Sequence, residues 1–113
     1  MRLNHINLTV SDVEASKTFL KTYFGLRETS TGRNKNQAFL HDDDGLVLSM
    51  FKGKDANYPS TFHIGFIQDS PADVDAIYAR MTADGIAADP PRQLHGWTFY
   101  VNAPGGFMVE VLA

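Results

Sequence analysis

The chain has 113 residues, of which 43% are hydrophobic and 20% are charged, a composition that fits one globular domain with one core and not a disordered segment. The net charge of −3, without a basic block, argues against a nucleic-acid partner. The absence of cysteine excludes disulfides, thiolate zinc sites and cysteine nucleophiles. Because no apolar run approaches a membrane span and the N-terminal segment lacks a cleavage-site signature, we expect a cytoplasmic protein with no membrane partner.

The first half of the chain predicts a strand, a helix and three shorter strands. The segment LNHINLTV alternates between polar and aliphatic residues, as a half-buried strand does. The segment SDVEASKTFLKTYFG has helical spacing, with Ser11 and Glu14 as a capping box and Gly25 as the C-terminal cap. Three strand candidates follow, LRETS, NQAFLH and GLVLSMF, and the turn DDDG joins the last two as a hairpin.

The second half predicts the same order of elements. TFHIGFIQ is a strand candidate, and a helix then begins at Ser70 and Pro71, since proline favours the first helical position. Gly85 ends this helix. The last two strands are joined by the turn APGG. The remaining short strands are predicted at about 86–89, 97–102 and 106–112.

The two halves overlay with a nearly constant offset, because His63 follows His5 by 58 residues and Glu110 follows Ser49 by 61. Such an offset indicates an internal duplication. We therefore predict the α+β class, with two βαβββ modules that carry mixed sheets within a single domain. The predicted boundaries are 1–113 for the domain, about 1–51 and 61–113 for the modules, and 52–60 for the polar linker.

Three strand residues combine into a candidate metal site. His5, His63 and Glu110 each occupy the face opposite the most apolar side of their strand. If helices cover the apolar faces, two imidazoles and one carboxylate point into a shared cavity, which is a known ligand set for a divalent ion. The pattern offers Glu110 no other partner, and a metal would offset the cost of burying its charge. A second interpretation stays open, in which the histidines are hydrogen-bonded strand residues and the glutamate faces solvent or pairs with an arginine.

The segments LNHINLTVSDVEAS, FHIGF and GWTFYVNAPGGFMVEV resemble the vicinal oxygen chelate superfamily. This superfamily includes glyoxalase I, bleomycin-resistance proteins, fosfomycin-resistance proteins and extradiol dioxygenases. The resemblance implies a glyoxalase-like fold, in which two modules from one chain or from two chains pack edge to edge around a barrel-like cavity. Because each small sheet would leave an apolar edge exposed, we expect a homodimer, with exchange of modules between chains. The metal-ligand positions of the superfamily fall on His5, Ser49, His63 and Glu110.

Several residues differ from those of the known subfamilies, and these differences reduce the number of activities that we expect. Ser49 stands where glyoxalase I usually has a carboxylate or an amide, and a serine hydroxyl is a poor ligand and a poor base, so glyoxalase I activity is not expected. The three remaining ligands are more similar to those of fosfomycin-modifying enzymes and extradiol dioxygenases. Fosfomycin transferases, however, have threonine at the position of Asn7, and lysine and serine at those of Pro90 and Leu94.

The expected function is that of a divalent-metal-dependent enzyme of dioxygenase, transferase or lyase type, which acts on a small oxygen-chelating substrate. One ion of Mn, Fe, Ni or Zn is expected, because the ligand set does not choose among these metals. The alternative is a metal-free protein of the bleomycin-resistance type, which binds or sequesters a small molecule. Such proteins generally lack the three ligands, so their presence favours the enzyme.

Several residues near the candidate site are expected to contact the substrate. The strand WTFYVN sends Thr98 and Tyr100 to the side of Glu110, and the repeat matches them with Gln37 and Phe39. Tyr100 is the candidate catalytic residue, with a space-filling aromatic residue as the competing interpretation. The expected substrate-binding residues are Asn7, Gln37, Phe39, Ser49, His95, Thr98 and Tyr100.

Overall fold

Two four-stranded mixed sheets, each with one helix, account for the regular structure of the described residues. The computed structural model describes residues 1–29 and 34–113. Two compact units divide the chain. The first comprises Met1–Asn57 with Pro104–Gly106, and the second comprises Tyr58–Ala103 with Phe107–Ala113. The predicted α+β class and the two βαβββ modules are confirmed, whereas the barrel-like cavity and the module boundaries stay predictions.

The first unit contains one parallel and two antiparallel strand pairs. Its sheet has the order β1-β4-β3-β2, in which β1 and β4 run parallel. The helix α1 therefore connects the edge strand β1 to the rest of the sheet. The elements are β1 (His5–Val10), α1 (Val13–Phe24), β2 (Arg27–Glu28), β3 (Gln37–His41) and β4 (Val47–Lys52).

The second unit repeats this topology. Its sheet has the order β5-β8-β7-β6, in which β5 and β8 run parallel and the other pairs are antiparallel. The elements are β5 (Ile64–Ile67), α2 (Pro71–Ala83), β6 (Arg92–Gln93), β7 (Trp97–Ala103) and β8 (Phe107–Leu112).

The register of the central strands is also the same in both units. Ser49 and Glu110 each lie between a parallel partner and an antiparallel partner on the neighbouring strands. The aligned triplets are Asn7, Ser49 and Phe39 in the first unit, and Gly65, Glu110 and Tyr100 in the second. Ser49 and Glu110 are therefore equivalent positions, as the sequence offset predicted.

The apolar face of β8 forms the core of the second unit together with α2. Phe107, Val109 and Val111 are buried on this face, and burial of such side chains stabilises a fold by about 1.5–3 kcal/mol each. The helix is also tied to β7 by a hydrogen bond of 2.8 Å, which the Trp97 indole N–H donates to Asp75. Because side chains alternate along a strand, Glu110 points to the opposite face of this sheet.

The N-terminus of α1 differs from the prediction, which named Ser11 as the cap. The cap is Asp12, whose side-chain oxygen accepts a hydrogen bond of 3.0 Å from the backbone N–H of Ala15. Glu14 does not complete a capping box but forms an ion pair with Lys17 at 3.0 Å. Both candidates had a polar side chain near the helix start, and the carboxylate is the better partner for the positive end of the helix dipole. The predicted cap Gly25 is confirmed, and so is the predicted start of α2 at Ser70 and Pro71, where Ser70 is the N-cap.

Two short strands also differ from the prediction. The strand predicted at 86–89 is reduced to a single bridge between Ala88 and Val101, and β6 lies instead at Arg92–Gln93. The prolines at 90–91 explain this difference, because proline has no N–H to donate to a sheet. Of the predicted strand LRETS, Arg27–Glu28 forms β2, and the backbone N–H of Thr29 donates a further hydrogen bond of 3.0 Å to the carbonyl of Phe39. Ser30 lies outside the described residues.

Within the described ranges, neither helix is long and apolar enough to cross a membrane.

We predict that Asp12→Ala lowers the free energy of unfolding by about 1 kcal/mol, since it leaves a helix N–H without its acceptor. Ser11→Ala is the matched control and is expected to cost less than about 0.5 kcal/mol, as an exposed substitution outside the cap does. Denaturant unfolding of both variants provides the measurement. A larger loss of stability in the Ser11 variant than in the Asp12 variant would contradict this prediction and would support Ser11 as the cap.

Candidate functional site

The buried carboxylate of Glu110 is the centre of the candidate site in the second unit. Glu110 lies in the middle of β8 and is only 4% exposed. One of its oxygens, Oε2, lies 2.6 Å from Nε2 of His95 and 2.7 Å from the hydroxyl of Thr98. The expectation that Glu110 lacks a protein partner is therefore wrong, because β7 and the loop before it supply hydrogen-bond donors.

Thr98 is positioned by the register of β7 against β8. Thr98 pairs with Leu112, so that it lies diagonal to Glu110 on the same face of the sheet. Its hydroxyl is 2.7 Å from Glu110 Oε2 and 3.0 Å from the backbone oxygen of Val111. A hydroxyl has one hydrogen to donate, and the shorter bond to an anionic acceptor is the stronger one. Thr98 therefore acts as a fully buried donor to the carboxylate.

His95 is positioned by the turn that connects β6 to β7. The N–H of Leu94 donates to the carbonyl of Gly96 at 2.9 Å, which closes the turn. A Cβ atom at Gly96 would lie 2.8 Å from the carbonyl oxygen of Ala113, so that only glycine lets the turn pack this closely. The His95 side chain is 54% exposed, and its Nε2–H reaches inwards to Glu110.

His63 precedes β5 and faces the second oxygen of the carboxylate. Its Nδ1 lies 3.0 Å from the backbone carbonyl oxygen of Thr61, so Nδ1 carries a hydrogen and donates it. Its Nε2 lies 3.3 Å from Glu110 Oε1. The ring also packs edge-on against Tyr100, with ring centroids 5.5 Å apart. These contacts direct Nε2 at the carboxylate.

Hydrogen bonds keep the buried carboxylate ionised. Burial alone raises the pKa of Glu110, but the hydrogen bonds from Thr98, His95 and Tyr100 outweigh burial, so the pKa lies below its ordinary value. Burial and the hydrogen bond to Glu110 raise the pKa of Tyr100. At neutral pH the site thus holds an anionic glutamate beside a protonated tyrosine.

The remaining predicted ligand, His5, lies in the first unit. It begins β1 and its side chain is exposed. Its Nδ1 lies 3.0 Å from the side-chain oxygen of Asn4, so Nδ1 donates and Nε2 is left with a lone pair. The two predicted histidine ligands are therefore held in the same way, each through Nδ1 by an oxygen acceptor.

The other predicted substrate contacts of the first unit lie on one face of its sheet. Ser49 is buried, and its hydroxyl donates a hydrogen bond of 2.7 Å to the side-chain oxygen of Asn7. Phe39 and Gln37 are half-buried on β3. The position equivalent to Glu110 thus carries a neutral, hydrogen-bonded pair in this unit.

The structure brings together His63, His95, Thr98, Tyr100 and Glu110 in the second unit. Across residues 1–29 and 34–113, no group of three or more His, Cys, Asp or Glu side chains has the arrangement of a metal site. His63 and Glu110 present two donor atoms, Nε2 and Oε1, at a mutual distance of 3.3 Å. When two donors bind one ion through bonds of about 2.1 Å, they lie roughly 3.0–3.4 Å apart, so this pair fits two ligands of one ion.

A family model for the Glyoxalase/Bleomycin resistance protein/Dioxygenase superfamily matches residues 2–111. The chain belongs to this superfamily. This confirms the resemblance to the vicinal oxygen chelate proteins that the sequence showed. A search of curated proteins finds no match.

Solved structures support the same fold. A possible glyoxalase from Bacillus cereus is 47% identical, with a TM-score of 0.95 and coverage of 100% of this chain and 99% of that one. A glyoxalase/dioxygenase from Nostoc punctiforme is 27% identical, with a TM-score of 0.80 and coverage of 97% and 88%. A mutant of the fosfomycin resistance protein FosX from Listeria monocytogenes, complexed with Mn(II) and a dihydroxypropylphosphonic acid, is 26% identical, with a TM-score of 0.83 and coverage of 99% and 91%.

The contact between His95 and Glu110 is the feature of this superfamily member that sequence reasoning missed. His95 was expected to contact substrate, and nothing in its loop placed it on the carboxylate. The contact joins residues 15 apart in sequence and depends on the conformation of the turn at Gly96. The only signal in the sequence was the single glycine directly after the histidine.

We predict that Thr98→Val lowers the free energy of unfolding by about 1–3 kcal/mol, because it keeps the side-chain volume but leaves a buried anionic oxygen short of a donor. Thr98→Ser is the matched control, since it retains the hydroxyl and is expected to keep most of the stability that the valine variant loses. Denaturant unfolding of metal-free protein provides the measurement. Equal losses for both variants would assign the effect to packing and not to the hydrogen bond.

Proposed function

We propose that this superfamily member is a divalent-metal-dependent enzyme that acts on a small oxygen-chelating substrate. The observation that carries the proposal is the approach of His63 Nε2 to Glu110 Oε1 at 3.3 Å. Because Nδ1 of His63 already donates to a carbonyl, Nε2 is the ring atom that is left to bind a cation beside the anionic oxygen. A cation between the two atoms would balance the negative charge of the carboxylate.

The donor set supports a transition metal as that cation. Imidazole nitrogen together with carboxylate oxygen suits Mn, Fe, Ni and Zn. The hydrogen bond from His63 Nδ1 to a backbone carbonyl is the outer contact that metal-bound histidines usually make, since it fixes the tautomer and the ring orientation. In the FosX structure, a protein with 26% identity to this chain is complexed with Mn(II).

We propose His5 as the third ligand. Its position in β1 corresponds to that of His63 before β5, because the two histidines are 58 residues apart in the duplicated sequence. Its Nδ1 is held by an oxygen acceptor, as that of His63 is, and its Nε2 is available. The ligand set would then be two histidines and one carboxylate, with His5 supplied by the same chain or by a partner chain.

The metal would polarise a substrate oxygen as a Lewis acid. The chain's own residues would bind and orient the substrate. The raised pKa of Tyr100 keeps its hydroxyl protonated, so it can donate a hydrogen bond to a developing anion. Asn7 and Ser49 add a neutral polar surface. The hydroxyl of Ser49 is a poor base for removing a carbon-bound proton. We therefore expect negligible turnover of the methylglyoxal–glutathione hemithioacetal.

The proposal predicts that metal-stripped protein binds Mn, Fe(II), Ni or Zn, and that a saturating ion raises the thermal midpoint. At a free ion concentration of 100 times Kd, the folded state gains about 2.7 kcal/mol. His5→Ala, His63→Ala and Glu110→Ala should each weaken binding by at least about tenfold, since each removes one ligand. Isothermal titration and thermal unfolding with each ion provide the measurements.

His41→Gln is the control for this series, because it removes an imidazole from the end of β3 that belongs to neither predicted ligand position. It is expected to bind the ion as the parent does. The proposal is wrong if the folded parent binds none of the four ions more tightly than about millimolar. It is also wrong if all three ligand variants retain the affinity of the parent.

We further propose that the protein forms a homodimer. The strands β1 and β5 lie at the edges of their sheets, and an edge strand presents unpaired backbone groups. On β5 the side chain of Ile67 is 79% exposed, which is costly for an isoleucine in water. A second copy of the chain would cover such an edge by symmetric association.

Mixing two ligand variants separates a site within one chain from a site shared between chains. If the site is shared, refolding His5→Ala together with Glu110→Ala should restore about a quarter of the parent's metal sites, because each mixed dimer contains one complete ligand set. Metal analysis after removal of free ion provides the measurement, and each variant refolded alone is the control. Recovery of no sites would assign all three ligands to one chain, whereas a monomer that retains its metal would contradict the dimer.

A further inference from the structure

We infer that His95 is a positioning residue that makes Glu110 a one-oxygen ligand, and this inference rests on the proposed function. The two oxygens of Glu110 have different surroundings. Oε2 accepts hydrogen bonds from His95 at 2.6 Å and from Thr98 at 2.7 Å. Oε1 faces His63 Nε2 at 3.3 Å. The carboxylate is therefore divided into an oxygen that is held by protein donors and an oxygen that is directed at a ligand nitrogen.

The chemistry of His95 supports a role as donor and not as ligand. A hydrogen bond of 2.6 Å to a carboxylate requires that Nε2 of His95 carries a hydrogen, so that nitrogen has no lone pair for a metal. Partners that bind the outer atoms of a metal ligand orient it and raise its affinity for the ion. His95 fits that description, because its contact is with the oxygen of Glu110 that points away from His63.

Single-oxygen binding matters for a substrate that chelates through two oxygens. A carboxylate that binds through both oxygens occupies two positions on the ion, whereas one held as Glu110 is occupies one. With His5, His63 and one oxygen of Glu110 as ligands, a five-coordinate ion would retain two positions, whereas binding through both oxygens of Glu110 would leave one. His95 and Thr98 thus keep open the position that a two-oxygen substrate needs. Thr98 is fully buried, so the exposed His95 is the partner that can be changed without disturbing the core.

The test compares His95→Ala and His95→Gln with the parent, each loaded with Co(II). Gln93→Ala is the matched control, because Gln93 is an exposed residue of the same connection and its substitution leaves Nε2 of His95 in place. The visible absorption of Co(II) reports coordination number, since six-coordinate Co(II) absorbs more weakly than four- or five-coordinate Co(II). Electron-spin-echo spectroscopy of the Mn(II)-loaded proteins counts the bound imidazoles. Titration gives the affinities.

We expect His95→Ala to bind Co(II) about 10- to 100-fold more weakly, with a weaker absorption band as the second oxygen of Glu110 joins the ion. His95→Gln, which can donate from its side-chain N–H, should restore the band and most of the affinity. The control should equal the parent. The number of bound imidazoles should be the same in the parent and in His95→Ala.

Two results would overturn the inference while the proposed function stands. One is a parent that binds Co(II) and a His95→Ala variant with unchanged spectrum and affinity. The other is the loss of one bound imidazole in His95→Ala, which would make His95 a ligand. A parent that binds neither ion would overturn the proposed function, and the inference with it.

Discussion

The structure of the second unit depends on the burial of one charge. Glu110 is 4% exposed in the middle of a strand, where an ion without partners is strongly destabilising. Two donors on one of its oxygens offset this cost, one from the neighbouring strand and one from the preceding turn. The placement of Thr98 on β7, the glycine at 96 and the orientation of His95 all serve the same carboxylate. A change at any of them alters how Glu110 is held.

The duplication shows how one backbone arrangement can carry different chemistry. Strand order and register are the same in both units, yet the aligned positions hold serine in one and glutamate in the other. In the first unit, Ser49 and Asn7 satisfy each other as a neutral pair. In the second unit, neighbouring side chains donate hydrogen bonds to the anionic carboxylate. The equivalent positions of the two units therefore differ in charge while their sheets remain alike.

The sequence was sufficient for the features that follow from periodicity and failed for those that follow from turn geometry. Alternation along β7 predicted that Thr98 and Tyr100 share the face of Glu110, and the offset of 61 residues predicted the equivalence of Ser49 and Glu110. The contact of His95 could not be predicted, because it depends on a turn that brings an exposed side chain back onto the sheet. The choice of Asp12 over Ser11 as cap was also beyond the pattern, since adjacent polar residues satisfy the same spacing.

The alternation along β8 has a consequence for the fidelity of folding. Val109 and Val111 are fully buried on the helix side of the sheet, and Glu110 lies between them on the opposite side. If β8 slipped by one residue against β7, every side chain would change face, and the carboxylate would enter the apolar layer beneath α2 without its threonine donor. That misaligned pairing would bury an unpaired charge and expose two valines at once. The glutamate thus acts as a register marker, which penalises the wrong alignment of the hairpin more than any aliphatic residue at this position would.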